Sequence, residues 1–186
     1  AARMPAAYIT HGGGPCFFMD WDPPHAWDAL RAALEAIIPG LPRRPRAILV
    51  ITAHWESPEF AIASGSAPEL IYDYGGFPPE TYHIRYRSAG SPALAERVGQ
   101  LLSQAGIPIY GDPERGYDHG MFSPMRAIYP DANVPVVQLS LKQGLDPAEH
   151  LALGRALAAL RDEDVLIIGS GLSYHNLRAF GPQAQV

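Results

Sequence analysis

The chain has 186 residues, 47% of them hydrophobic and 18% charged, with 14 basic against 19 acidic residues and a formal net charge of -5. That length suits one domain that buries most of its apolar surface, not two full ones. The acidic balance lacks the basic footprint that a nucleic-acid backbone or an anionic membrane would select, and no apolar run is long enough to span a bilayer. Cys16 is the only cysteine, so no intrachain disulfide can form. The start, Ala1-Ala2-Arg3-Met4-Pro5, does not have the build of a signal peptide, and the expected location is cytoplasmic.

Short apolar runs rich in β-branched residues alternate with helical patterns from end to end. The first strand is expected over residues 6–10, and a helix over 25–38 follows, with Trp27, Leu30, Leu34, Ile37 and Ile38 at helical spacing and Pro39-Gly40 closing it. The cluster Arg43, Arg44, Arg46 reads as a solvated connection. Residues 47–53 form the next strand, with no polar alternation, as expected where both faces are buried.

The stretch 64–88 is the least regular and concentrates aromatic, basic and turn-forming residues, the composition of a functional loop. Ser91-Pro92 then starts a helix with a capping hydroxyl and a proline at its first position, Leu94, Val98, Leu101 and Leu102 forming its apolar stripe and Gly106 its end. Strands are expected at 107–110, 134–141 and 165–169, with a helix beginning near Ser123-Pro124 and another at Asp146-Pro147, where Glu149 is placed for a capping box. The pattern predicts an α/β fold: one domain over residues 1–186, with a central, mostly parallel sheet covered by helices on both faces.

The chain has seven histidines, and their positions relative to strands matter more than their number. His11, His54 and His175 each fall at or just beyond the C-terminal end of an apolar strand, where open α/β sheets bind ligands. A lone histidine there is usually a satisfied structural group. The repetition favours a metal site, since imidazole suits Zn, Fe and Cu alike. His11 leads into Gly12-Gly13-Gly14-Pro15, which lacks the lysine and hydroxyl of a phosphate-binding loop and the spacing of a dinucleotide fingerprint. His119, in Gly116-Tyr117-Asp118-His119-Gly120, reads equally as an acid/base or as a loop residue satisfying backbone groups. His25 and His150 read as surface residues, and His83 as intermediate, in an aromatic loop that could border a pocket. Cys16 has no partner thiol or adjacent base, and no nucleophile elbow occurs, which disfavours cysteine and serine hydrolases.

Five strings occur in order: Thr10-His11-Gly12-Gly13-Gly14-Pro15, Thr52-Ala53-His54-Trp55, Asp73-Tyr74-Gly75-Gly76-Phe77-Pro78, Tyr117-Asp118-His119-Gly120 and Ser173-Tyr174-His175-Asn176-Leu177. Together they resemble the class III extradiol ring-cleavage dioxygenase superfamily, in particular its 4,5-DOPA dioxygenase-like branch. The resemblance implies an α/β enzyme that uses Fe(II), with Zn(II) recorded for some members, to cleave a small aromatic diol such as DOPA with O2. It implies metal ligands at His11 and His54. His175 matches a ligand in one branch and an acid/base in another, and both roles stay open. It further implies an active-site histidine at His119 and a substrate-bordering loop at Gly75, Gly76 and Phe77. The family pattern continues past the match to Arg178 with a segment holding a strand and a final metal-site residue, so that C-terminal segment is expected to be absent from residues 1–186. Two other functions fit the same histidines: a zinc hydrolase with a metal-bound water, and a catalytically silent metal-binding homologue.

Overall fold

The computed structural model describes residues 2–176 and 178. Six strands form one sheet: β1 (Ala6–Ile9), β2 (Ala47–Ser57), β3 (Phe60–Ala63), β4 (Ile109–Asp112), β5 (Val136–Lys142) and β6 (Val165–Ser170), in the order β1-β6-β2-β5-β3-β4. All neighbours run parallel except β3 and β5, which meet antiparallel at Ile62 and Leu139. The α-helices among the described residues are α1 (Asp28–Glu35), α2 (Pro92–Gln104), α3 (His119–Ile128) and α4 (Pro147–Leu157). The mostly parallel α/β architecture is therefore the one expected. No helix among the described residues is long and apolar enough to cross a membrane.

Burial on both faces explains the continuous apolar runs. Along β2, Ile48 and Val50 point into one core with Leu34 of α1 and Met121, Phe122 and Met125 of α3, while Ala47 and Leu49 point into a second core with Leu94, Val98 and Leu102 of α2 and Leu153 and Leu157 of α4. The two-residue period of a strand sorts neighbours into opposite layers. Each such aliphatic side chain, buried fully, contributes roughly 1.5–3 kcal/mol.

Several boundaries differ from expectation. β3 was not anticipated; its four residues follow β2 after a two-residue turn at Pro58-Glu59, too short for an independent signal. The first helix is trimmed to Asp28–Glu35, because no side chain caps its N-terminus and His25 takes φ 67°, outside the right-handed helical region. α2 follows its signals, with Ser91 Oγ accepting from Leu94 N at 3.2 Å. In α4 Asp146 caps Ala148 N at 2.7 Å, but Glu149 pairs with Lys142 at 2.7 Å instead of closing a capping box. The third helix starts at His119 rather than at Ser123-Pro124, so Pro124 lies inside it. The arginine cluster is anchored: Arg43 pairs with Asp164, Arg44 bonds Asn133 and Arg46 pairs with Glu163, tying the turn before β2 to that before β6 and to the Asn133 loop.

Candidate metal centre

Three adjacent parallel strands deliver the site. In the β1-β6-β2 register, Ile9 lies opposite Ser170 and Ser170 opposite Thr52, so these residues form one row across the sheet. His11 and His54 each stand two positions further on, on the same face by strand alternation. The β2-β5 ladder breaks its register between Ile51 and Glu56, spanning His54, the kind of irregularity that re-aims a side chain at a site. His119, the first residue of α3, approaches from the helix layer over the same face.

The histidines that converge are His11, His54 and His119. One ligand atom from each lies within 4.8 Å of the others. His11 Nε2 and His54 Nε2 are 3.0 Å apart, and the His54 and His119 ring centroids 3.9 Å. His11 and His119 are buried and His54 is half-buried. Three nitrogen donors around one point fit a divalent transition metal of the iron or zinc type far better than Mg or Ca, which prefer oxygen.

A second layer of groups holds these rings. Asp73 Oδ1 accepts from both the backbone N and the ring Nδ1 of His119, at 2.9 and 2.8 Å, while its Oδ2 lies 3.7 Å from His54 Nδ1. A carboxylate can only accept, so His119 donates from Nδ1 to Asp73, which in the neutral ring leaves the lone pair on Nε2, an arrangement common at metal and general-base sites. Under His54, its backbone N donates to Thr52 Oγ1, and Thr52 in turn donates to Asp118 Oδ1 at 2.9 Å. Asp118 is wholly buried and also receives Gln138 and Arg115, at 2.8 and 2.9 Å. Its partners make it a structural anchor for the N-terminus of α3 rather than a free base.

The electrostatics favour neutral imidazoles. Burial, followed by the charges that His54, His119 and His175 would carry, lowers the pKa of His11 from 6.5 to about 3. Burial and His119 likewise hold His54 below its ordinary value, against the opposing pull of Asp73 and Asp118. Burial pushes the Asp73 carboxyl up, but the side-chain and backbone hydrogen bonds from His119 outweigh it and leave the group below its ordinary value. His11 and His54 thus present uncharged nitrogens beside a carboxylate, the protonation state that a cation requires.

An aromatic wall stands beside the cluster. Tyr74 lies 5.6 Å from the His119 ring and 5.4 Å from Phe77, and Trp21 lies 6.2 Å beyond Phe77. Burial pushes the Tyr74 hydroxyl up to about 12, and it donates to Thr81 O at 2.6 Å, so it remains a neutral wall. Phe77 folds onto the glycine run after His11: a Cβ on Gly14, which has φ +50°, would lie 2.6 Å from the Phe77 ring. The run after β1 therefore accommodates an aromatic side chain rather than a phosphate. Gly75 and Gly76 have open space around them, and Gly76 takes φ +77° to turn the loop.

His175 lies beyond β6, is exposed, and is outside the group of three, although its charge bears on His11 and His54. Leu177 and residues 179–186 lie outside the described residues. Of the remaining histidines, His25 is exposed beside Asp28, and His83 is exposed with Nδ1 3.1 Å from Pro79 O. His150 is half-buried, not a surface residue: its Nδ1 donates to Asp146 O at 2.7 Å and its Nε2 accepts from Lys142 N at 3.2 Å, so both ring nitrogens are used structurally. Sequence reasoning assigned no role to Asp73 or Ser170. Asp73 stood in one of the five strings, and its place as the acid before the aromatic loop was the one available signal.

Residues 5–185 match the family model described as the catalytic LigB subunit of aromatic ring-opening dioxygenase. The dioxygenase tasH of Hapsidospora irregularis is 44% identical over 183 residues, 94% of this chain and 56% of the relative. A 4,5-DOPA dioxygenase extradiol of Escherichia coli K12 is 40% identical over 179 residues, 96% of this chain and 62% of the relative. Its namesake in Beta vulgaris is 46% identical over 134 residues, 72% of this chain and 50% of the relative. A crystal structure of an uncharacterized Escherichia coli K12 protein superposes with a TM-score of 0.74 at 35% identity, covering 98% of this chain and 66% of that one. The chain spans between 50% and 62% of the length of these curated relatives.

Proposed function

Because this chain belongs to the LigB family of aromatic ring-opening dioxygenases, we propose that it is the metal-binding body of an extradiol dioxygenase that uses Fe(II) and O2 to open the ring of a small catechol such as DOPA. The observation that carries the reading is the convergence of His11, His54 and His119 beside Asp73 and an aromatic wall. The relatives named 4,5-DOPA dioxygenase extradiol support the substrate class.

In this reading two of the three clustered histidines, His11 and His54, hold the metal through neutral ring nitrogens, and His119, the third, is left to the substrate. Bound there, Fe(II) supplies open coordination positions for the diol and for O2, whose two atoms both enter the product. His119 faces the substrate. Its Nδ1–H is fixed on Asp73, so the bare Nε2 can take a catechol proton while the carboxylate stabilises the imidazolium that forms. Tyr74 and Phe77 supply an apolar, flat-walled approach that suits an aromatic ring, with Gly75 and Gly76 leaving the loop free of side chains at its turn. His175 approaches from the solvent side as a further ligand or as a second acid/base, and metal stoichiometry in His175→Ala separates the two: lost metal makes it a ligand, whereas retained metal with lost turnover makes it the acid/base.

The test is anaerobic loading of the purified chain with Fe(II), followed by a DOPA-like catechol and air, with oxygen uptake and a yellow ring-cleavage product as readouts. Uptake with colour supports the reading. Stoichiometric metal without oxygen uptake would remove it for this chain.

A further inference from the structure

The buried hydroxyl of Ser170 and the proline inside α3 have no part in the chemistry above, yet both bear on the Gly120 carbonyl, and through Ser170 on His11. Pro124 is the sixth residue of α3 and has no N–H, so the carbonyl of Gly120, four residues earlier, receives no helical hydrogen bond from position 124. Ser170 takes that place: its Oγ donates to Gly120 O at 2.5 Å. Gly120 can come this close because it lacks a side chain, since a Cβ there would lie 2.5 Å from Thr52 Oγ1 and 3.1 Å from both Asp118 Oδ1 and His54 Cδ2.

A serine hydroxyl has one proton. With that proton on Gly120 O, Ser170 Oγ can only accept from its second neighbour, His11 Nδ1, at 3.1 Å. His11 must then carry its proton on Nδ1 and keep Nε2 bare, and Nε2 is the atom that faces His54 Nε2 at 3.0 Å. Ser170 and His11 are 3% and 2% exposed, so water is poorly placed to replace either bond. Were the Gly120 carbonyl filled by its own helix, the Ser170 proton would be free to turn toward His11 Nδ1, which would move the imidazole proton to Nε2 and aim it into the cluster.

We propose that Ser170, released for the task by Pro124, is a positioning residue that fixes the tautomer of His11 with its donor nitrogen directed at the metal centre. The consequence for metal binding rests on the reading of the cluster as a metal site; the tautomer itself does not.

The experiment reads the two separately. In the metal-free protein at neutral pH, 15N-resolved spectra of the histidine rings, with the His11 signals assigned by their loss in His11→Asn, should show the proton on Nδ1. Ser170→Ala should shift His11 toward the Nε2–H form and weaken Zn(II), measured alone by competition with a chromophoric chelator, about 10–100-fold. Ser170→Thr, which keeps the hydroxyl, should restore both. Pro124→Ala, which restores the helical N–H to Gly120 O, should also populate the Nε2–H form, and it serves if Ser170→Ala fails to fold. An Nε2–H tautomer in the parent protein, or an unchanged tautomer in Ser170→Ala, overturns the proposal. An unchanged tautomer in Pro124→Ala removes the proline from it. None of these results depends on turnover, so a protein with the expected tautomer and tight metal but no oxygen uptake would defeat the dioxygenase reading while leaving this one intact.

Discussion

The two halves of the candidate site are built differently. His54 and Ser170 lie on two adjacent parallel strands and His11 two residues past the end of a third, beside a register fixed by backbone hydrogen bonds and by side chains buried on both faces. Asp73, Tyr74 and Phe77 come from a long loop held by its own tyrosines, Tyr72 donating to Ile84 O at 2.8 Å and Tyr74 to Thr81 O at 2.6 Å, and by bonds to the start of α3, Ile71 N donating to Tyr117 O at 2.7 Å. A strand-borne donor is placed by the whole sheet, whereas a loop-borne one depends on a few local bonds. The comparison suggests a division of labour: the sheet side holds the metal, and the loop side handles the proton and the shape of the substrate.

The sharpest break in that division comes from the sheet side. His54→Ala is expected to abolish stoichiometric metal binding while leaving the helical content unchanged, as read by metal analysis and circular dichroism; full metal in that variant would mean that the sheet side does not hold the ion. On the other side, His119→Ala should retain metal and lose about 10²–10⁴-fold in turnover. A parental rate would defeat its assignment as the base. Asp73→Asn leaves the ring in place but replaces a carboxylate by a neutral amide, and a fall of about 10–100-fold with metal retained is expected. If Asp73→Asn lost metal as completely as His54→Ala, the proposed division would collapse.

Protonation sharpens the contrast further. Because His11 is held at about 3 when folded against an ordinary 6.5, the unfolded chain binds a proton there that the folded chain refuses between those values. The stabilisation is present above pH 6.5 and is lost as the pH falls through that window, at up to about 1.4 kcal/mol per pH unit. The lowered pKa of His54 acts in the same direction. Urea midpoints of the metal-free protein should therefore fall from pH 7 to pH 5, and bound metal should raise them. A flat profile in the metal-free protein would show that the histidines are solvated enough to charge without cost. The smallest effect is expected at the seam between the two halves: Gly14→Ala, strained at φ +50° and pressed against Phe77, should cost about 1–2 kcal/mol of stability and raise KM more than it lowers kcat.

The sequence alone was enough for the layered α/β fold, because continuous apolar runs such as 47–53 and capped helices such as the one starting at Ser91-Pro92 are local signals with local physical causes. It also marked His11 and His54, since a histidine at the end of a buried strand is visible without knowing which strands are neighbours. What it could not supply was the strand order. Only the register Ile9-Ser170-Thr52 places Ser170 under His11, and only the fold brings Asp73, 46 residues before His119, to that ring. The start of α3 was hidden for a related reason: proline is a reliable mark of a first helical turn until a distant group, here the Ser170 hydroxyl, satisfies the carbonyl that it leaves open. Hydrophobic period and capping are written in neighbouring residues, whereas the partner of a buried polar atom is set by chain segments far apart in sequence, so tertiary structure decided which histidines meet and which groups hold their rings.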